Sequence, residues 1–157
     1  MPTQKTLASV AIGNAIHAVI ARWIGDGRIT EAAEVGNGGC EEFADEVMVL
    51  LREREPSIAK DADIAWSDEW WAEGHEGTFL ADIPRMRAEG MPLPDGFDDN
   101  ELANLFGAMT HAWIVHEGRH YDATAPDGRA YFLGMPFFAG QIEAARTIYE
   151  TCRESAA

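Results

Sequence analysis

Cys40 stands directly after Gly38-Gly39, where a helical spacing of apolar residues begins. A cysteine at a helix start meets free backbone N–H groups and the positive end of the helix dipole. Both favour the thiolate, which is the reactive form. The same N–H groups, carried by Gly39 and Cys40, are placed to stabilise an oxyanion beside the sulfur. Asn37, three residues earlier, is a turn residue by type and a further candidate donor. Glu41 and Glu42 oppose the thiolate by raising the thiol pKa, so the sulfur needs a base as partner.

Two residues far along the chain supply that base and its support. His111 opens the stretch His111-Ala112-Trp113-Ile114-Val115, and Asp122 lies in His120-Tyr121-Asp122-Ala123-Thr124. Glu117-Gly118 between them reads as a two-residue hairpin turn. That register sets Val115 opposite His120 and Trp113 opposite Asp122. Side chains alternate by two, so His111, Trp113, His120, Asp122 and Thr124 share one face. His111 and Asp122 become diagonal neighbours. A carboxylate on His111 Nδ1 would fix the imidazole tautomer while the other ring nitrogen meets the sulfur. A three-residue turn would send Asp122 to the opposite face and dissolve the arrangement. Trp113 is expected to shield the imidazole from water. His116 and His120 read as solvated hairpin positions, with His120 close enough to touch a substrate.

The elements that must position these groups follow from the apolar pattern. Residues 6–24 predict a first helix, stopped by Gly25-Asp26-Gly27. A second begins at Cys40, with Phe43, Ala44, Val47, Met48 and Leu51 in its stripe, and Pro56 ends it. Residues 58–90 show no clean period; Trp66, Trp70 and Trp71 read there as core or groove wall. Turn chemistry fills 91–100, and 101–109 predicts a short helix. Strands are expected over 110–115 and 120–124, an apolar segment over 131–138, and a last helix over 141–152. No repeat or linker interrupts the chain. The expectation is a single α+β domain over residues 1–157, helices first and a small antiparallel sheet later.

Three boxes in this order resemble a known superfamily. Gly39-Cys40-Glu41-Glu42-Phe43-Ala44 is similar to the Gly-x-Cys-x-x-Phe-Ala box of transglutaminase-like, papain-like proteins. His111-Ala112-Trp113-Ile114 is similar to their His-Ala-Trp-Val strand, and Tyr121-Asp122-Ala123-Thr124 to their Asp-Pro-Thr box, with Ala123 in place of proline. The resemblance implies Cys40 as nucleophile, His111 as general base and acid, and Asp122 as the orienting group. It also implies a nucleophile helix packed on an antiparallel sheet, and acyl transfer from an amide or peptide through a thioester. No cofactor is implied. NlpC/P60-type peptidases share the Cys-then-His layout and with it the prospect of a cell-wall peptide substrate.

Composition narrows the field further. The 157 residues carry 27 acidic against 12 basic side chains, a formal charge of −15, which disfavours phosphate backbones and anionic lipid surfaces. Nucleic-acid and membrane partners are therefore not expected. The apolar run over 7–24 is broken by Asn14, His17 and Arg22, which argues against a membrane span and leaves an amphipathic helix in a cytoplasmic protein with Cys40 and Cys152 as free thiols. No metal site is expected: as strand residues, His111 and His116 point to opposite faces. The competing expectation is a papain-like scaffold without activity, using its acidic surface to bind a basic partner.

Overall fold

The computed structural model describes residues 4–67, 83–85, 87–90, 93, 95–102 and 110–156. Helix α1 spans Gln4–Gly25 and buries Ile12, Ile16, Val19 and Trp23, a stripe at helical spacing. It ends where sequence predicted: Gly27 takes a φ of 72°, and the Arg28 N–H returns to the Trp23 carbonyl at 2.9 Å. A 3-10 turn over Ala32–Gly36 leads into α2, Cys40–Arg54. Pro56 ends α2 and at the same time occupies the first turn of the short α3, Pro56–Ala59, where its missing N–H is no loss.

Three strands form one antiparallel sheet in the order β1 (Ala62–Trp66), β2 (Ala112–His116), β3 (Arg119–Tyr121). The α+β class and the small antiparallel sheet are as expected from sequence; β1 was hidden in the aperiodic stretch 58–90. The β2–β3 turn is the two-residue form, with Glu117 at φ 47° and Gly118 at φ 75°, both in the left-handed region a type I′ turn requires. Ile114 therefore pairs with Tyr121 and Val115 with His120, in the predicted register. Both strands are shorter than predicted at the site end. His111 precedes β2, and β3 stops at Tyr121 because the Asp122 carboxylate captures the next N–H groups, those of Thr124 at 2.8 Å and Ala125 at 2.9 Å.

A 3-10 turn over Phe132–Gly134 precedes the last helix, α4, over Pro136–Ala156. This helix starts five residues earlier than the predicted 141, since Pro136 is preset for the first helical position. The sheet separates two apolar clusters. One joins α1 and α2 to Ile114, Tyr121 and Ala123. The other gathers Trp113, Ala125, Phe132, Met135 and Phe138 with Ile83 and Leu102.

Several expectations from sequence meet a different outcome. Over Leu7–Gly25 the mean hydropathy is 1.4, apolar enough by length and composition to cross a membrane, so Asn14, His17 and Arg22 do not rule that out as expected. In the fold, this helix nevertheless spends its buried face on α2 and the sheet. His116 and His120, expected to be solvated, are both buried, because each lies on a strand covered on both faces. Trp66 is half-buried on β1. Trp70, Trp71 and most of the expected 101–109 helix lie outside the described residues, as does the Cys152 side chain on α4.

Candidate active site

The site forms where the start of α2 meets the open end of the β2–β3 pair. Cys40 is the first residue of α2, with Gly39 as its N-cap. The glycine eases a close approach: a Cβ at 39 would meet the Trp23 ring at 3.0 Å and the Val35 carbonyl at 3.3 Å, so a neighbour would have to give by a few tenths of an ångström. Gly39 thus lets α2 start close against α1, and its N–H donates to the Val35 carbonyl at 3.0 Å, so it is not free for the oxyanion role expected from sequence. Cys40 is a free thiol, half-buried at the edge of a crevice shared with His111, Asp122, Thr124 and Phe137.

His111 is fixed from both ends. Its backbone N–H donates to Ser67 Oγ at 2.9 Å, and its carbonyl accepts the Ser67 N–H at 3.0 Å. Its ring Nε2 meets Asp122 Oδ2 at 2.9 Å in a pair that is nearly fully buried. The nitrogen differs from the expected Nδ1. A ring held through Nε2 leaves Nδ1 for the sulfur, and Nδ1 is buried with no completed hydrogen bond. The thiol and ring are coupled nonetheless. Interaction with the His111 ring draws the Cys40 pKa down, and it outweighs the opposing effect of burial; the Ala112 and Glu41 backbone N–H groups and the ring's charge act in the same direction. Unliganded sites often hold such a pair loosely before substrate tightens it.

The ring responds in the complementary sense. Burial alone would push the His111 pKa down, but the Asp122 carboxylate on Nε2 and the neighbouring Cys40 sulfur prevail and the net shift is upward. A lowered thiol beside a raised imidazole is the direction that favours thiolate and imidazolium over the neutral pair. Glu41 and Glu42, expected to oppose the thiolate, do not enter the balance through their carboxylates. Glu42 instead pairs with Arg28 at 2.7 Å, and Arg28 lies over the Trp23 ring at 3.7 Å.

Asp122 is held with unusual completeness for a residue just past a strand. Oδ2 serves His111, while Oδ1 accepts the Thr124 N–H at 2.8 Å, the Thr124 hydroxyl at 2.7 Å and the Ala125 N–H at 2.9 Å. Orienting the imidazole and shaping the next turn, which compete as explanations when read from sequence, are therefore one structure. The Thr of the Tyr121-Asp122-Ala123-Thr124 box is what locks the carboxylate. Ala123 makes none of these bonds and is buried in the core, so a small residue there leaves the geometry intact without proline.

Trp113 lies almost parallel to the His111 ring, with centroids 6.1 Å apart and planes at 20°, and is itself nearly fully buried. It walls the imidazole from solvent as expected. His120 does not line the crevice: it accepts a hydrogen bond from Trp113 Nε1 at 2.9 Å and packs on Phe132. Burial pushes its pKa down to about 4, which keeps it a neutral acceptor for the indole. Asn37 is exposed and ends the 3-10 turn by donating its backbone N–H to the Glu34 carbonyl at 3.0 Å, so the turn role prevails over the oxyanion one. Among the described residues no three His, Cys, Asp or Glu side chains converge as a metal-ligand set.

Sequence reasoning missed two residues of this site. Ser67 becomes visible once β1 is placed, since the β1–β2 register carried one step further sets it opposite His111. Phe137 stacks face to face on the His111 ring, centroids 3.8 Å apart and planes at 10°. Nothing in the apolar stretch around it distinguishes it from Phe138. No protein-family model matches this chain, and no curated protein and no solved structure matches it either.

Proposed function

We propose that this protein is a small papain-like cysteine hydrolase, a peptidase or amidase, that cleaves an amide bond through a Cys40-His111-Asp122 triad. The observation that carries the reading is the fully anchored His111–Asp122 pair with its second ring nitrogen left for a thiol of lowered pKa. Cys40 thiolate attacks the amide carbonyl carbon, and the oxyanion forms beside the Cys40 N–H in the first turn of α2, the Gly39 N–H being spent on the Val35 carbonyl. His111, holding the thiol proton, gives it to the leaving amine as the C–N bond breaks. A thioester remains on Cys40. Water then attacks it, losing a proton to His111, and releases the carboxylic acid and the thiol. Asp122 keeps the imidazole oriented and stabilises its charged form throughout. The arrangement requires no cofactor, and the acidic surface fits a free peptide or small amide better than a polyanion.

The test is incubation with a panel of peptide and simple amide substrates, followed by mass spectrometry of the intact protein. The expected result is an acyl adduct on Cys40 and product release, both absent in Cys40→Ala. Failure of every amide to acylate Cys40, with the fold intact, would overturn the reading.

One observation favours the non-enzymatic alternative, a papain-like module that binds through its acidic surface. The crevice beside Cys40 has a volume of about 10 Å³, room for roughly one water and no acyl group.

A further inference from the structure

One side chain fills much of the crevice between its walls. Phe137 lies flat on the His111 ring at 3.8 Å, and its edge rests against Gly36 so closely that a Cβ there would come within 2.7 Å of both Cδ2 and Cε2. The glycine ends the 3-10 turn that leads to the nucleophile, so the ring bridges the two walls of the site. Its neighbour Phe138 is wholly buried against Trp113 and Phe132 and anchors the start of α4. Phe137 by contrast is only half-buried. Rotation about its own side-chain bonds can therefore carry the ring toward solvent without moving the helix.

Given the cysteine-hydrolase reading, on which this step rests, we propose that Phe137 is a swinging gate over the nucleophile. At rest its ring fills a flat apolar slot between Gly36 and the face of His111, and a substrate enters by displacing it. The group that takes its place is flat and apolar and sits beside the scissile carbonyl, because the slot offers a glycine floor, an imidazole face and the apolar side chains of Ala32 and Val35. Preferred substrates are accordingly amides whose acyl side carries such a group. The closed ring lowers the apparent rate of a reagent that must occupy the slot, in proportion to the fraction of time the slot is open, and slows far less a small reagent that reaches the half-buried sulfur beside it.

The test compares two thiol reagents on the folded protein, with adducts on Cys40 and Cys152 resolved by peptide mass spectrometry. Iodoacetamide is small, and N-phenylmaleimide presents a flat ring. In Phe137→Ala the rate of N-phenylmaleimide addition to Cys40 is expected to rise about tenfold or more, and that of iodoacetamide distinctly less. Gly36→Ala, which drives the ring out from the opposite wall, should change the ratio in the same direction, and it carries the test if Phe137→Ala does not fold. Because the ratio of the two rates cancels a change in thiol reactivity, a merely structural role for Phe137 would leave it unmoved. An unchanged ratio in a folded variant overturns the gate. Amide turnover is measured separately: cleavage by the native protein with an unchanged ratio removes the gate and keeps the hydrolase, whereas a raised ratio without cleavage by any variant keeps the gate and removes the hydrolase.

Discussion

The two faces of the sheet are built from alternate residues of the same strands, yet they solve different problems. Toward α1 and α2 the sheet presents Ile114, Tyr121 and Ala123, and the one polar link among these is a Tyr121 hydroxyl hydrogen bond to Ser9 at 2.8 Å. Toward α4 it presents His111, Trp113, His120 and Asp122, all buried and each tied to another polar group or ring. Buried polar groups are tolerated only when their partners are supplied, and they add less to stability than an apolar side chain of the same size. The helical face thus builds an apolar core, while the aromatic face holds the proposed site. The Glu117-Gly118 turn decides which residues fall on which, since a shift by one residue would exchange the two sets.

The largest effect that separates the faces is expected at Cys40. Cys40→Ala should reduce amide hydrolysis at least about 10⁴-fold while leaving the melting temperature close to native. Retained turnover in a steady-state assay would reduce the aromatic face to packing. Leu51→Ala, at the far end of α2 in the helical core, should do the reverse. It should lower unfolding free energy by about 3 kcal/mol in denaturant titration with Cys40 alkylation unchanged in the folded population.

His120 sharpens the contrast through pH. It is held neutral in the fold with its pKa near 4, whereas in the unfolded chain it protonates near 6.5. Between those values the unfolded state binds more protons, so its contribution to stability is complete above pH 6.5 and lost as pH falls toward 4. His120→Gln keeps an acceptor for Trp113 but does not titrate. Denaturant titrations at several pH values should show the native protein losing up to about 3 kcal/mol relative to this variant over that window. Parallel curves would mean that His120 is solvated when folded. The smallest effect is expected for Ser67→Ala, which removes the partner of the His111 N–H: about 1 kcal/mol of stability, read as a modest fall in melting temperature.

Much of the aromatic face was legible in the sequence because local chemistry fixes it. Glu117-Gly118 sets the turn, the turn sets the register, and the register alone brings His111 and Asp122 to one side. The start of α2 was equally legible, since glycines that cannot continue a helix stand directly before an amphipathic stripe. The illegible parts depend on long-range partners. β1 carries no alternating pattern because the sheet packs around it unevenly, with four of its five residues half-buried and only Asp63 exposed. His120 looked like a polar hairpin residue until Phe132 and Trp113 enclosed it. The Nε2 choice at His111 and the Phe137 contact follow from how two distant elements meet, which no spacing in either element records.

The proposed triad requires the sulfur to be coupled to the buried imidazole, and the pH dependence of Cys40 alkylation by iodoacetamide reads that coupling directly. In the native protein the rate should reach its plateau at a pH well below the ordinary thiol range of about 8.5, and in His111→Gln the curve should move back into that range. Superimposable curves for the two proteins would contradict the triad.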